Sequence, residues 1–328
     1  MKQGNDSSYP GPFNSQWLGP RFWPVWLGVG LFRLISLLPG GLRRALGRWL
    51  GDLVWRRQPK RRAIIHTNLC WCFPEATEQQ REQMERDYFR AMSQTLLDYG
   101  LLWWSSRHRL DQILTLEGEE HLQSVLNNGG KVILLTSHNV ALDFGAAALT
   151  RFYPSVGLIK PARNPLIDWL MARGRTRFKG ALFLRDKGMR PIVKGIKSGH
   201  AFYYLPDEDL GPEHSIFLPF FGVQTATLTA LSKLSRMTGA TVLPFATVYN
   251  AQTGHYNARI MPPLENFPSE DESVDAARMN LELEKMIAMA PTQYMWSMRI
   301  FQSRPDGSPP PYKMKGKPGS GHRERPTE

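Results

Sequence analysis

Residues 131–149 read KVILLTSHNVALDFGAAAL. The run KVILLT has strand length and is apolar from Val132 to Leu135. A polar knot follows, Ser137-His138-Asn139, and then a small-residue stretch of helical character whose one charged residue is Asp143. An apolar run of this length, closed by a polar turn and followed by a helix, is half of a β-α-β unit. Such a strand is buried on both faces, which requires helices above and below it.

The same alternation continues on both sides. ILTLEG reads as a strand and EEHLQSVLNNGG as a helix closed by glycines. After KVILLT come a helix over 140–151, strand VGLIK, helix NPLIDWLMARGRTRF, strand ALFL, a helix over 190–197 and strand AFYYLP. A loop over 207–222 leads to helix TLTALSKLSRMTG, strand TVLPFATV, strand HYNARIM and a long helix over 274–290. Residues 75–110 read as helices, charged first and apolar later. The expectation is an α/β fold, a mostly parallel central sheet flanked by helices. G-x-G-x-x-G, Walker A, G-x-S-x-G and H-E-x-x-H are all absent, which removes the usual support for nucleotide, hydrolase and zincin chemistry.

Charge and composition bear on the partners. The 328 residues carry a net charge of +12, and residues 40–62 hold eight basic residues against one acid, Asp52. Two cysteines, Cys70 and Cys72, argue against a disulfide scaffold and against a zinc site; Cys72, between Trp71 and Phe73, reads as packing. Ahead of the basic block, FWPVWLGVGLFRLISLLPGG is apolar but interrupted by Arg33, marginal against the ~20 residues that a spanning helix needs. Tryptophans 17, 23 and 26 stand near its start. Leu42, Leu46, Trp49, Leu50 and Leu53 then recur at helical spacing among arginines, as in a helix lying on anionic lipid. The order predicts an N-terminal membrane-anchoring helical segment with the rest of the chain on the cytoplasmic side. Nucleic acid is disfavoured, because tryptophan and leucine interleave the basic block and no nucleic-acid motif is present.

His138 and Asp143 are five residues apart, which on one ideal helix places them about 140° apart. They meet only if His138 sits on the turn and Asp143 one turn into the helix. A carboxylate on one ring nitrogen would then fix the tautomer and leave the other as a base. Helix capping by His138 and a dipole-compensating Asp143 explain the same spacing, and H-x4-D by itself leaves both readings open.

The downstream blocks add to it. GALFLRD (180–186), LPDEDLG (205–211) and TVLPF (241–245) follow in the order of the glycerolipid-type acyltransferases. NLCWCFPE (68–75), RNPLIDWLMARGR (163–175), PDEDLGPEHSIFLPFFG (206–222) and MAPTQYMW (289–296) resemble the lipid A late acyltransferases, the lauroyl and myristoyl transferases of lipopolysaccharide biosynthesis. The resemblance covers roughly 20–312. PD-x-D stands where glycerolipid enzymes have E-G-x-R, a departure from simple glycerol-phosphate transfer.

The resemblance implies a glycerolipid-acyltransferase-like fold. It also implies transfer of a fatty acyl chain from acyl carrier protein to a 3-hydroxyacyl hydroxyl of a lipid A precursor, with another glycolipid or a phospholipid as alternative acceptor. The setting is the cytoplasmic face of a bacterial inner membrane, with anionic lipids as partners and no cofactor or metal. His138 is the expected base and Asp143 its orienter, with backbone N–H groups near Asn139 and Val140 as oxyanion donors. Arg163 and Arg185 are candidates for the acceptor's phosphates. Asp207 and Asp209 either orient those groups or cap turns beside Gly211. Residues 1–62 are read as anchor and basic amphipathic helix, 63–304 as the catalytic domain and 305–328 as a flexible tail.

Overall fold

The structure, a computed structural model, describes residues 9–312. The flexible tail expected over 305–328 therefore lies outside the described residues from 313 onward. In chain order the helices and strands begin with α1 (Trp23–Leu37), α2 (Gly40–Arg57), α3 (Pro59–Cys72), α4 (Glu78–Trp104), α5 (Arg107–Asp111) and β1 (Leu114–Glu117). There follow α6 (Glu119–Asn127), β2 (Lys131–Leu135), α7 (Leu142–Thr150), β3 (Ser155–Ile159), α8 (Pro165–Arg175), β4 (Gly180–Leu184), α9 (Arg190–Lys197) and β5 (Ala201–Tyr204). The chain continues through β6 (Ser215–Phe220), β7 (Val223–Leu228), α10 (Ala230–Thr238), β8 (Ala240–Tyr249), β9 (Tyr256–Ile260) and α11 (Glu272–Ala288).

Seven strands form one sheet in the order β1-β9-β8-β2-β5-β3-β4. Every neighbouring pair is parallel except β8 with β9. The α/β expectation holds, and β2 lies inside the sheet because four of its five residues are apolar and fully buried. Alternate residues serve opposite faces: Ile133 and Leu135 join the cluster under α9, α10 and α11, whereas Val132 and Leu134 join Phe144 and Leu149 of α7.

Two local readings differ. Residues 215–228 fold as a hairpin, where a loop and an early helix start were expected. Its two-residue turn, Phe221-Gly222, has positive φ at both positions, the geometry of a type I′ turn. Phenylalanine is not a residue that announces such a turn, so the sequence cue is missing. Helix α7 begins at Leu142 rather than 140, because Asn139 forms an isolated antiparallel bridge with Tyr294 and Val140 N–H donates to Gln293 O at 2.9 Å.

The N-terminal helices dock on α4. A Cβ on Gly51 of α2 would stand 2.5 Å from Arg90 Cα, so glycine is what lets the two backbones approach. Arg43, expected on a lipid-facing basic surface, is instead buried and bonds Asp98 at 2.8 Å. Asp98 also accepts from the Tyr256 hydroxyl, which ties α2, α4 and β9 together. Trp23, Leu27, Leu31, Leu34 and Leu37 of α1 remain exposed along one side. With 15 residues, α1 is about 22 Å long. Among the described residues no helix is long and apolar enough to cross a membrane.

Candidate active site

The sheet register brings the site together. Leu135 of β2 pairs with Tyr204 of β5 in parallel, and Thr136 N–H continues the ladder to Tyr204 O. His138 lies three residues beyond Leu135, and Asp207 lies three residues beyond Tyr204. Two parallel strands in register therefore deliver the two side chains, 69 residues apart in sequence, to the same place at the carboxyl edge of the sheet. This is where open α/β sheets place their ligands.

Asp207 holds His138 with both oxygens. Oδ1 lies 2.7 Å from His138 Nδ1, and Oδ2 accepts the His138 backbone N–H at 2.7 Å. The carboxylate is only 2 % exposed while the imidazole is 21 % exposed. A carboxylate at 2.7 Å requires a proton on Nδ1, which leaves Nε2 as the free nitrogen. Nε2 faces Glu208, whose Oε1 is 3.8 Å away, and Glu208 Oε2 accepts from Arg185 at 2.7 Å. Burial opposes a charge on His138, but Asp207 and then Glu208 outweigh it, and the pKa stands above the ordinary histidine value; Arg185 pulls the other way. A narrow cleft beside these groups is lined by Asp207, Glu208, Phe220, Thr227, Leu283 and Ile300.

The expected pairing of Asp143 with His138 is not what the structure shows. Asp143, the second residue of α7, is buried and bidentate with Arg175 of α8, at 2.7 Å from Nε and 3.1 Å from Nη2. The Tyr99 hydroxyl of α4 also donates to it. Burial opposes its ionisation, yet Arg175 and Tyr99 hold the carboxyl below its usual value, while Asp143 raises the Arg175 pKa. Asp143 thus clamps α4, α7 and α8, beside a separate narrow cleft lined in part by Trp103, Met171 and Phe178. The physical reason is the non-helical stretch 139–141. It sets His138 off the helix, as the spacing argument required, but on the Asp207 side.

The remaining expectations divide. Asn139 serves the backbone: Oδ1 accepts Ala141 N–H at 2.7 Å and Nδ2 donates to Thr247 O at 2.5 Å. Val140 N–H is spent on Gln293 O and cannot serve as an oxyanion donor. Asp209 takes the capping alternative: Oδ1 accepts Gly211 N–H at 3.0 Å and Ser303 Oγ at 2.8 Å. Arg185 sits one residue past β4 on the site's edge, and Arg163 is exposed in the segment before α8. Sequence reading missed Glu208, Tyr99 and Arg175. An aspartate in an apolar helix does demand a buried partner, but nothing in the spacing chooses Arg175 over other arginines. Among the described residues no group of three or more His, Cys, Asp or Glu side chains is placed to hold a metal ion.

The family model described as bacterial lipid A biosynthesis acyltransferase matches residues 11–303. The chain is 36% identical to a lipid A biosynthesis acyltransferase of Haemophilus influenzae, over 91% of this chain and 94% of that protein. It is 37% identical to a lipid A biosynthesis lauroyltransferase of Escherichia coli, over 92% and 98% of the two chains. A lipid A biosynthesis myristoyltransferase of the same organism is 32% identical, over 95% and 97%. A 1-acyl-sn-glycerophosphate acyltransferase from Thermotoga maritima superposes with a TM-score of 0.37 at 11% identity, over 76% of this chain and 97% of that one.

Proposed function

The chain belongs to the bacterial lipid A biosynthesis acyltransferases, and from that premise we propose that it moves a lauroyl- or myristoyl-class chain from acyl carrier protein to a 3-hydroxyacyl hydroxyl of a lipid A precursor. The observation that carries the chemistry is His138 with Nδ1 locked on Asp207 and Nε2 facing Glu208 at 3.8 Å, on a ring that is 21 % exposed. A secondary alcohol is a weak nucleophile, and a positioned base supplies ~10²–10⁴-fold. In this reading Nε2 takes the hydroxyl proton as the oxygen attacks the thioester carbonyl. The carbon–sulfur bond breaks as the tetrahedral intermediate collapses, and the imidazolium returns its proton to the departing thiolate. Asp207 stabilises the imidazolium between the two steps. Similarity to a lauroyltransferase and a myristoyltransferase supports the chain class. The exposed Arg163 and Arg185 are assigned to the acceptor's phosphates.

The same reading places the protein on the cytoplasmic face of a bacterial inner membrane. Support comes from the exposed row Trp23, Leu27, Leu31, Leu34 and Leu37, with Arg21 and Arg33 also exposed on the same segment. Such a face suits burial in the headgroup region of anionic lipid rather than a crossing. The test is product analysis by mass spectrometry: purified protein, lauroyl- or myristoyl-acyl carrier protein, and a lipid A precursor with free 3-hydroxyacyl groups. One added acyl group in acyloxyacyl linkage is expected. Transfer to glycerol phosphate acceptors alone would overturn the assignment.

A further inference from the structure

We propose that Glu208 is a positioning residue that gates the catalytic base, with Arg185 as the arm that holds it off. The proposal rests on the reading of His138 as base and concerns what decides when Nε2 is free. Glu208 touches two opposed partners: one oxygen bonds Arg185 Nη1 at 2.7 Å, and the other stands 3.8 Å from His138 Nε2. Glu208 is 34 % exposed and therefore has room to turn. An acceptor hydroxyl must come within ~2.6–3.2 Å of Nε2 to give up its proton. The Glu208 carboxylate stands on that same nitrogen's side and cannot donate to it. Turned fully onto Nε2, it stabilises the imidazolium and the base is closed. Drawn onto Arg185, it leaves Nε2 open.

The surrounding groups do not offer a substitute. Asp207 occupies the other ring nitrogen and the backbone N–H, so both of its oxygens are committed. Tyr204, at the end of β5, and Tyr294, from the segment after α11, also border the Asp207 side, and burial pushes both hydroxyl pKa values up, so they stay neutral around pH 7. Arg185 is the cation that acts on His138 from the β4 side, and its effect opposes that of Glu208. The pair therefore adjusts, on top of the larger effect of Asp207, the pH at which the base becomes available.

Three variants and one direct measurement test this. Glu208→Gln removes the closing charge, and the acid limb of kcat/KM should move down by about one pH unit. Arg185→Ala frees Glu208 to close on Nε2, so the acid limb should move up, alongside any loss of acceptor binding seen in KM. In the double variant, measured against Glu208→Gln, the upward shift should shrink to the small direct effect of the lost guanidinium charge, because without the carboxylate Arg185 has nothing to hold off. Nitrogen-15 titration of the His138 imidazole in the full chain, without substrate, should show the same three displacements. That measurement stands whether or not the acceptor is a lipid A precursor, so it separates failure of the gate from failure of the functional reading. Superimposable His138 titrations in wild type and Glu208→Gln would overturn the proposal. So would an Arg185→Ala shift that persists undiminished in the double variant, since that would be the guanidinium's own charge acting on the ring.

Discussion

Replacing Asp207 by Asn tests the site at its most committed contact. Asparagine keeps the shape but has one acceptor oxygen where the carboxylate uses two, at 2.7 Å from the His138 backbone N–H and 2.7 Å from Nδ1. If its oxygen stays on the backbone, its NH₂ faces Nδ1 and donates to it. The ring proton then moves to Nε2, and the nitrogen that should accept the hydroxyl proton is blocked. The buried counter-charge of the imidazolium, 2 % exposed and poorly screened, is lost as well, and only the more exposed Glu208 at 3.8 Å remains. The analogous wrong-tautomer change in a serine protease costs ~10⁴ in kcat, about 5 kcal/mol of transition-state stabilisation. A loss of about 10³–10⁴, mainly in kcat, is therefore expected here. The assay is single-turnover transfer from an acyl carrier protein donor, with acceptor binding measured separately and melting recorded as a control for folding. Turnover within tenfold of wild type would refute the argument that Asp207, rather than Asp143, orients the base.

Asp143→Asn should behave in the opposite way: it leaves Arg175, only 28 % exposed, without its counter-ion, so calorimetry should report a stability loss of about 3–5 kcal/mol with kcat of the folded fraction held within a few-fold. A collapse of kcat with unchanged melting would return Asp143 to the chemistry. His66 is raised to about 10 by its hydrogen bonds to Cys70 and Glu85. A folded-state pKa above the unfolded value gives stability that is complete below about pH 6.5 and is lost as pH rises through about 10; melting temperature should fall across that window in wild type and lose that slope in His66→Ala. Finally, Leu27→Glu with Leu31→Glu on the exposed side of α1 should lower co-sedimentation with anionic vesicles while leaving the melting temperature within a few degrees, and full retention on vesicles would remove the interfacial role of that helix.

Much of the architecture was legible in the sequence because it is written in local patterns. KVILLT announces a buried strand by its unbroken apolar run from Val132 to Leu135, and the alternation around it leaves few folds except α/β. His138 was legible for the same reason, since a polar knot at the end of such a strand falls on the edge where ligands bind. The Phe221-Gly222 turn was not, because backbone pairing imposed a positive φ on a residue whose side chain gives no sign of it. Nor was the partner of His138. The five-residue spacing to Asp143 supplied a carboxylate close in sequence, whereas Asp207, 69 residues on, follows the end of another strand. What places it is the pairing of Leu135 with Tyr204, a fact of register between two β-strands that neither strand carries alone. Periodicity within a segment is fixed by the covalent chain and can be read from it. Which carboxylate meets which imidazole depends on how separate segments stack, and that free energy belongs to the packed sheet and the helices on its two faces.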